Sequence, residues 1–136
     1  MFQIFLTEIN SEVARADIIV CATTSSTPIF SGRYVSDGAH VCAIGSHEPR
    51  SREVDGFLVG RSTVVVEDQA TALRESGDIL MAIEEGAFSS SSMFSMSDLV
   101  LDPSRVIDNS RPSLFKSSGM AWEDLAVAER AFRQGP

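Results

Sequence analysis

Three runs of the chain are apolar almost without interruption: Asp17 to Ala22 (DIIVCA), Ala39 to Ile44 (AHVCAI) and Ser62 to Val66 (STVVV). Each has strand length and β-branched character, and none alternates with polar residues. That pattern predicts central strands covered on both faces of a sheet. Each run is followed by small or polar residues. The connections between them are too long for hairpins and long enough for short crossovers, which predicts parallel pairing.

Helical spacing appears between and after these runs. Ser11 to Ala16 reads as a short helix with Ser11 able to cap it. Glu53 to Arg61 carries Val54, Phe57 and Leu58 at helical spacing, with Gly56 and Gly60 weakening it. Asp68 to Glu75 reads as a capped helix stopping at Gly77, and Asp78 to Glu85 as another ending at Gly86. The strongest helix is Met120 to Arg133, where Trp122, Leu125 and Ala126 form an apolar stripe and Glu123 and Asp124 place acid in the first turn. Phe88 to Ser97 (FSSSSMFSMS) is serine-rich and reads as a mobile loop.

Composition narrows the function classes. Net charge is −8 and the pI about 4.6, so the surface is not built to neutralise phosphates and no nucleic-acid partner is expected. No apolar run approaches the roughly 18 residues that span a bilayer, so no membrane partner is expected. Met1 to Leu6 has neither a basic leader nor a small-residue cleavage site, so a secretory signal is not expected. Cys21 and Cys42 each sit within an apolar run and read as reduced core thiols of a cytoplasmic protein. A metal site combining them with His40 and His47 lacks any tight ligand spacing, so no metal is expected.

Ligands of open parallel sheets gather at the carboxyl ends of the strands. After the first run come Thr23, Thr24, Ser25 and Ser26; after the second, Gly45, Ser46 and His47; after the third, Glu67 and Asp68. A fourth candidate, Lys116-Ser117-Ser118-Gly119, precedes the final helix, whose free N–H groups favour an anion or polar ligand. Each has a plainer reading: turn formers and caps for the Thr/Ser runs, a solvated loop residue for His47, a surface charge for Lys116. The nine glycines are nowhere spaced as G-x-G, so neither the dinucleotide fingerprint nor a P-loop is present in this sequence.

The segments ADIIVCATTSSTPIF (16–30), GAHVCAIGSHEPRSREVD (38–55), TVVVEDQATALRESGDILMAI (63–83) and LFKSSGMAWEDLAVA (114–128) resemble the ornithine cyclodeaminase/mu-crystallin family. The specific motifs are Gly-Ala-His followed by Ile-Gly-x-x-x-Pro-x-x-Arg-Glu, and the late Phe-Lys-Ser-x-Gly-Met-Ala-x-Glu-Asp. The resemblance implies an α/β fold: a partial Rossmann-like parallel sheet with flanking helices and a long C-terminal helix. Residues 1–112 would form the partial NAD(P)-binding domain, with its serine-rich loop at 88–97. Residues 113–136 would form a strand and helix that in the family return to a dimerising substrate domain. Met1 to Asn10 would correspond to an edge strand ahead of Asp17.

The resemblance also implies NAD or NADP as cofactor, a small amino-acid or imino-acid substrate, and a homodimer. Family members cyclise ornithine to proline or reduce ketimines and imino acids; some serve as ligand-binding crystallins. Carried over by position, Thr23, Thr24, Ile44, Gly45, Ser46, His47 and Ser117 match cofactor contacts, and Ser118 a residue near the substrate. His47 stands where ornithine cyclodeaminases have a catalytic aspartate. An imidazole can exchange a proton near neutrality but carries no fixed negative charge, which favours the reductase branches. The family's glycine-rich loop and its Arg/Lys substrate clamps match nothing in this sequence. The expectation is therefore the cofactor-binding half of a cyclodeaminase or ketimine/imino-acid reductase, weak or inactive as this chain. The alternative is a non-catalytic paralogue or dimerising interaction module. The strand Asp17 to Ala22 would be left as an apolar edge, covered by Met1 to Leu6 or by self-association.

Overall fold

The computed structural model describes residues 9–135; residues 1–8, including the expected cover strand Met1 to Leu6, lie outside the described residues. Its five strands form one sheet in the order β1-β2-β5-β3-β4, with every pairing parallel. The strands are β1 (Ile18–Cys21), β2 (His40–Ala43), β3 (Thr63–Val66), β4 (Met93–Ser95) and β5 (Ser113–Lys116). The helices are α1 (Ile9–Val13), α2 (Gly56–Arg61), α3 (Gln69–Glu75), α4 (Gly77–Glu84), α5 (Met96–Leu101) and α6 (Ala121–Gln134). The three apolar runs are thus strands and parallel.

The runs 39–44 and 62–66 are not neighbours, because β5 returns from the far end of the chain and inserts between them. Ser113–Lys116 therefore belongs to the middle of the sheet. The serine-rich segment is not simply a loop: Ser90–Ser92 makes a single 3-10 turn, β4 follows at once, and α5 begins at Met96. Ser95 and Asp98 close a reciprocal capping box at the start of α5, which uses serine as a helix start rather than as a flexible spacer. At the other end, Ile9 and Asn10 are helical rather than part of an edge strand, and α1 starts before and ends short of the expected Ser11 to Ala16.

Side chains of a strand alternate between faces, and register aligns them in rows. One face carries the rows Ile19-Val41-Leu114-Val64-Met93 and Cys21-Ala43-Lys116-Val66. Apart from the partly buried Ile19 these residues are buried, and the apolar ones form the core with Val54, Leu58 and Val59 of the α2 region and Ile79 and Ala82 of α4. The opposite face is covered unevenly. It is closed over Thr63 and Val65 of β3 but open at β1, where Ile18 and Val20 are 69% and 61% exposed. Only β3 has all four residues buried. β1 is the sheet's edge among the described residues, which corrects the expectation that all three runs are covered on both faces.

Helix starts follow from local chemistry. The Asp55 carboxylate accepts from Leu58 N–H and caps α2, and Asp68 accepts from Thr71 N–H and caps α3. The first of these shortens the expected helix 53–61: Glu53 and Val54 form a bend leading into the cap. The structure also brings in Gly32, whose N–H donates to the second Asp55 oxygen at 2.9 Å and so ties the β1–β2 connection to α2.

Candidate functional site

Parallel pairing places the carboxyl ends of all the strands on one edge of the sheet. Thr23 and Thr24 leave β1, Ile44 to His47 leave β2, Glu67 leaves β3, and Ser117 and Ser118 leave β5. Thr24, Ser25, Gly45, Ser46 and His47 line one cleft of about 120 Å³ between the first two loops. Ile44 is 47% exposed beside it. The sequence candidates on β1 and β2 therefore converge. Ser117 and Ser118 lie at the same sheet edge, two strands away from β1, and do not line this cleft.

Two of the cleft's hydroxyl protons are already committed, and so is that of neighbouring Thr23. Thr23 Oγ1 donates to Glu53 Oε1 at 2.8 Å, Ser25 Oγ donates to the Thr27 carbonyl at 2.6 Å, and Ser46 Oγ donates to the Ser51 carbonyl at 2.5 Å. A hydroxyl whose proton is spent still offers lone pairs. The Ser25 and Ser46 oxygens consequently suit a ligand that donates N–H groups better than one that needs donors. His47 and Glu48, both exposed, add an imidazole and a carboxylate to the lining.

Beneath the cleft lies a polar network that sequence reasoning missed. Glu53 is fully buried; its Oε1 accepts from Thr23 N–H at 2.5 Å as well as from the Thr23 hydroxyl, and its Oε2 accepts from Gly45 N–H at 2.8 Å. The Asp78 carboxylate, in the first turn of α4, accepts through Oδ1 from the backbone N–H of Glu53 (2.8 Å) and of Val54 (3.0 Å). Its Oδ2 makes no directed hydrogen bond but lies 3.2 Å from Lys116 Nζ. Lys116 in turn donates to the Ser46 carbonyl. The only lysine of the chain is thus buried, not a surface charge. A signal for this existed, because Lys116 shares strand parity with the apolar Leu114. Nothing comparable in the sequence marked Glu53 or Asp78, which read as ordinary helix-start acids.

This network also dominates its surroundings. Burial pushes the Cys21 thiol up to about 12, with the Glu53 and Asp78 carboxylates adding to the rise, so Cys21 stays a neutral core group. Cys21 and Cys42 are both free thiols. His40 lies at the start of β2, away from His47; its Nδ1 is 2.7 Å from Ser113 Oγ and its Nε2 is 3.3 Å from Cys42 Sγ. Among the described residues no group of three His, Cys, Asp or Glu side chains could hold a metal ion.

The N–H groups ahead of the last helix are also not free. Ser118 and Gly119 N–H donate to Glu67 Oε2 at 3.1 and 3.0 Å, the Ser117 hydroxyl donates to Glu67 Oε1 at 2.6 Å, and Met120 N–H donates to Glu123. The protein's own carboxylates thus satisfy the N–H groups of residues 118–120.

A sequence model of the ornithine cyclodeaminase/mu-crystallin family matches residues 4–133. The chain belongs to this family. Among family members, it is 38% identical over 123 residues to a Delta(1)-pyrroline-2-carboxylate reductase of Colwellia psychrerythraea, an alignment covering 89% of this chain and 39% of that protein. It is 33% identical to the ketimine reductase mu-crystallin of Mus musculus over 91% of the chain and 37% of the relative. The chain spans about two fifths of the length of these relatives. Its fold matches the Thermococcus litoralis Delta(1)-pyrroline-2-carboxylate reductase in complex with NADH and L-proline, with a TM-score of 0.84 and 30% identity over 93% of this chain and 41% of that one. It also matches the iminosuccinate reductase of Paracoccus denitrificans in complex with NAD+, with a TM-score of 0.81 and 26% identity over 90% and 38%. Among the described residues no helix is long and apolar enough to cross a membrane.

Proposed function

We propose that this chain is the cofactor-binding half of a cytoplasmic, NAD(P)-dependent reductase of cyclic imino acids or ketimines. The observation that carries the reading is the cleft at the β1 and β2 ends, built from residues that correspond to family cofactor contacts, in a chain similar to pyrroline-2-carboxylate and ketimine reductases. The residues present fit the nicotinamide side of a dinucleotide: the Ser25 and Ser46 oxygens as acceptors for a carboxamide NH2, and the half-exposed Ile44 as an apolar surface for a flat ring. When bound, the dinucleotide supplies the hydride.

In this reading Thr24, Ile44, Gly45, Ser46 and Ser117 contact the cofactor, Thr23 positions the loop after β1, and Ser118 borders the substrate. His47 holds or releases a proton at its imidazole beside the imine nitrogen. With histidine where cyclodeaminases have an aspartate, no fixed negative charge faces a substrate ammonium, which favours reduction over ornithine cyclisation. The sequence has no glycine pair to cradle a pyrophosphate, so this chain alone binds the dinucleotide weakly and is weakly active or inactive. An NADH titration of the 136-residue chain followed by NMR is expected to shift Thr24 and Ile44 to His47 with millimolar affinity. Shifts confined to other regions would overturn the site, and micromolar affinity would overturn the weak-binding expectation.

A second reading, a non-catalytic module that dimerises, is favoured by one observation. Helix α6 has no buried residue, and its Trp122, Leu125 and Phe132 are exposed.

A further inference from the structure

Three features outside the cleft's lining concentrate unusual chemistry: the His40–Ser113–Cys42 contacts on the open sheet face, the apolar stripe of α6, and the buried Glu53–Asp78–Lys116 chain. The last is tied by geometry to both loops of the candidate site. One carboxylate holds Thr23, just after β1, and the glycine after β2 at once, and it does so from a fully buried position. Gly45 is at close quarters there. A Cβ added to it would overlap the Thr23 backbone N and O and Glu53 Oε1, so the two loops touch with no space for a side chain.

We propose that Glu53 is a positioning residue whose carboxylate sets the spacing of the Thr23 and Gly45 loops, and thereby the width of the cleft for the nicotinamide side of the dinucleotide. The proposal rests on the dinucleotide reading above. Asp78 holds the Glu53 backbone from beneath, and Lys116 links Asp78 to the Ser46 carbonyl. The chain of contacts thus runs from α4 and β5 to both loops. Every donor that Glu53 takes is withdrawn from the ligand, so Thr23 N–H, the Thr23 hydroxyl proton and Gly45 N–H do not contact the cofactor. Thr23 acts through its place in the latch, and direct contacts fall to its neighbours.

The latch is testable without turnover. Amide hydrogen exchange of the full 136-residue chain is expected to show Thr23 and Gly45 N–H protected, although both lie in loops. In Glu53→Gln, whose amide cannot accept from all three donors, protection at both positions falls about tenfold or more relative to the Val64 and Val65 amides of β3. NADH affinity falls with it, by about fivefold or more. Gly45→Ala keeps the carboxylate but wedges the loops apart, and is expected to weaken NADH similarly; it also serves if Glu53→Gln does not fold. Asp98→Ala, which removes the remote α5 cap, leaves NADH affinity unchanged and separates positioning from general loss of stability. Unchanged protection at both amides in Glu53→Gln would overturn the latch. Lost protection with unaltered NADH affinity would overturn its positioning role. A wild-type chain that shows the protection pattern but no NADH-induced shifts would defeat the dinucleotide reading and leave the latch standing.

Discussion

Asp78 and Lys116 face each other with no exposed side-chain surface, and at that scale the cost of change is asymmetric. Breaking a buried pair leaves one charge without compensation, typically at a cost of about 3–5 kcal/mol, whereas removing both charges is far milder. Lys116→Met alone is therefore expected to lower urea-unfolding stability by about that amount, and the double variant Lys116→Met/Asp78→Asn to recover most of it, since asparagine still accepts from Glu53 and Val54 N–H. A double variant as unstable as the sum of its parts would contradict the pairing. Cys21 gives a second prediction at this scale. With its thiol raised to about 12, alkylation at pH 8 is expected to run roughly a thousandfold slower than for an ordinary thiol until the protein unfolds. Peptide mapping after timed labelling reads this directly, and rapid native labelling would contradict the burial. Neither residue's setting was legible as such. Cys21 within an apolar run announced a core thiol, but the two carboxylates that reinforce its shift come from positions 53 and 78.

Short helices depend on their first turns. Asp68 caps α3, and its carboxyl is held below its usual range chiefly by the Thr71 N–H it accepts. A depressed folded-state value contributes stability above the unfolded value, and that contribution is lost as pH falls through the folded one. The melting midpoints of wild type and Asp68→Ala are thus expected to differ by a few degrees at pH 7 and to converge as pH drops below the ordinary carboxylate range. A gap that persists in acid would show that something other than the charge-assisted cap is at work. This element was readable in advance because the cap, the helix and the stop lie within a few residues. β4 was not, since three residues in a serine-rich stretch carry no period, and their strand character comes from pairing with Val64 to Val66.

At the scale of the molecule, exposed apolar side chains among the described residues include those of β1, of the end of α5 and of α6, and α6 carries the most of them on one element. Trp122, Leu125 and Phe132 are 60%, 67% and 87% exposed, more than a solitary helix retains without a partner surface. Self-association through α6 is expected, measured by sedimentation velocity, with Leu125→Glu/Phe132→Glu shifting the chain to monomer. If that variant stays associated and Val20→Lys disperses it, the β1 edge is the interface instead. A monomeric wild type would remove both.

Periodicity, β-branching and caps determined the three parallel strands, the helices 69–75 and 77–84 and the edge of the sheet that carries the candidate site, because each depends on neighbours a few residues apart. The family motifs marked the loops that line the cleft. Only the tertiary structure decided that β5 enters between β2 and β3, that the lone lysine is buried, and that one glutamate joins both loops. Those facts rest on contacts 30 positions apart for Thr23 and Glu53 and 70 apart for Ser46 and Lys116. No local pattern encodes which distant partner satisfies a buried charge; packing the sheet against its helices selects it.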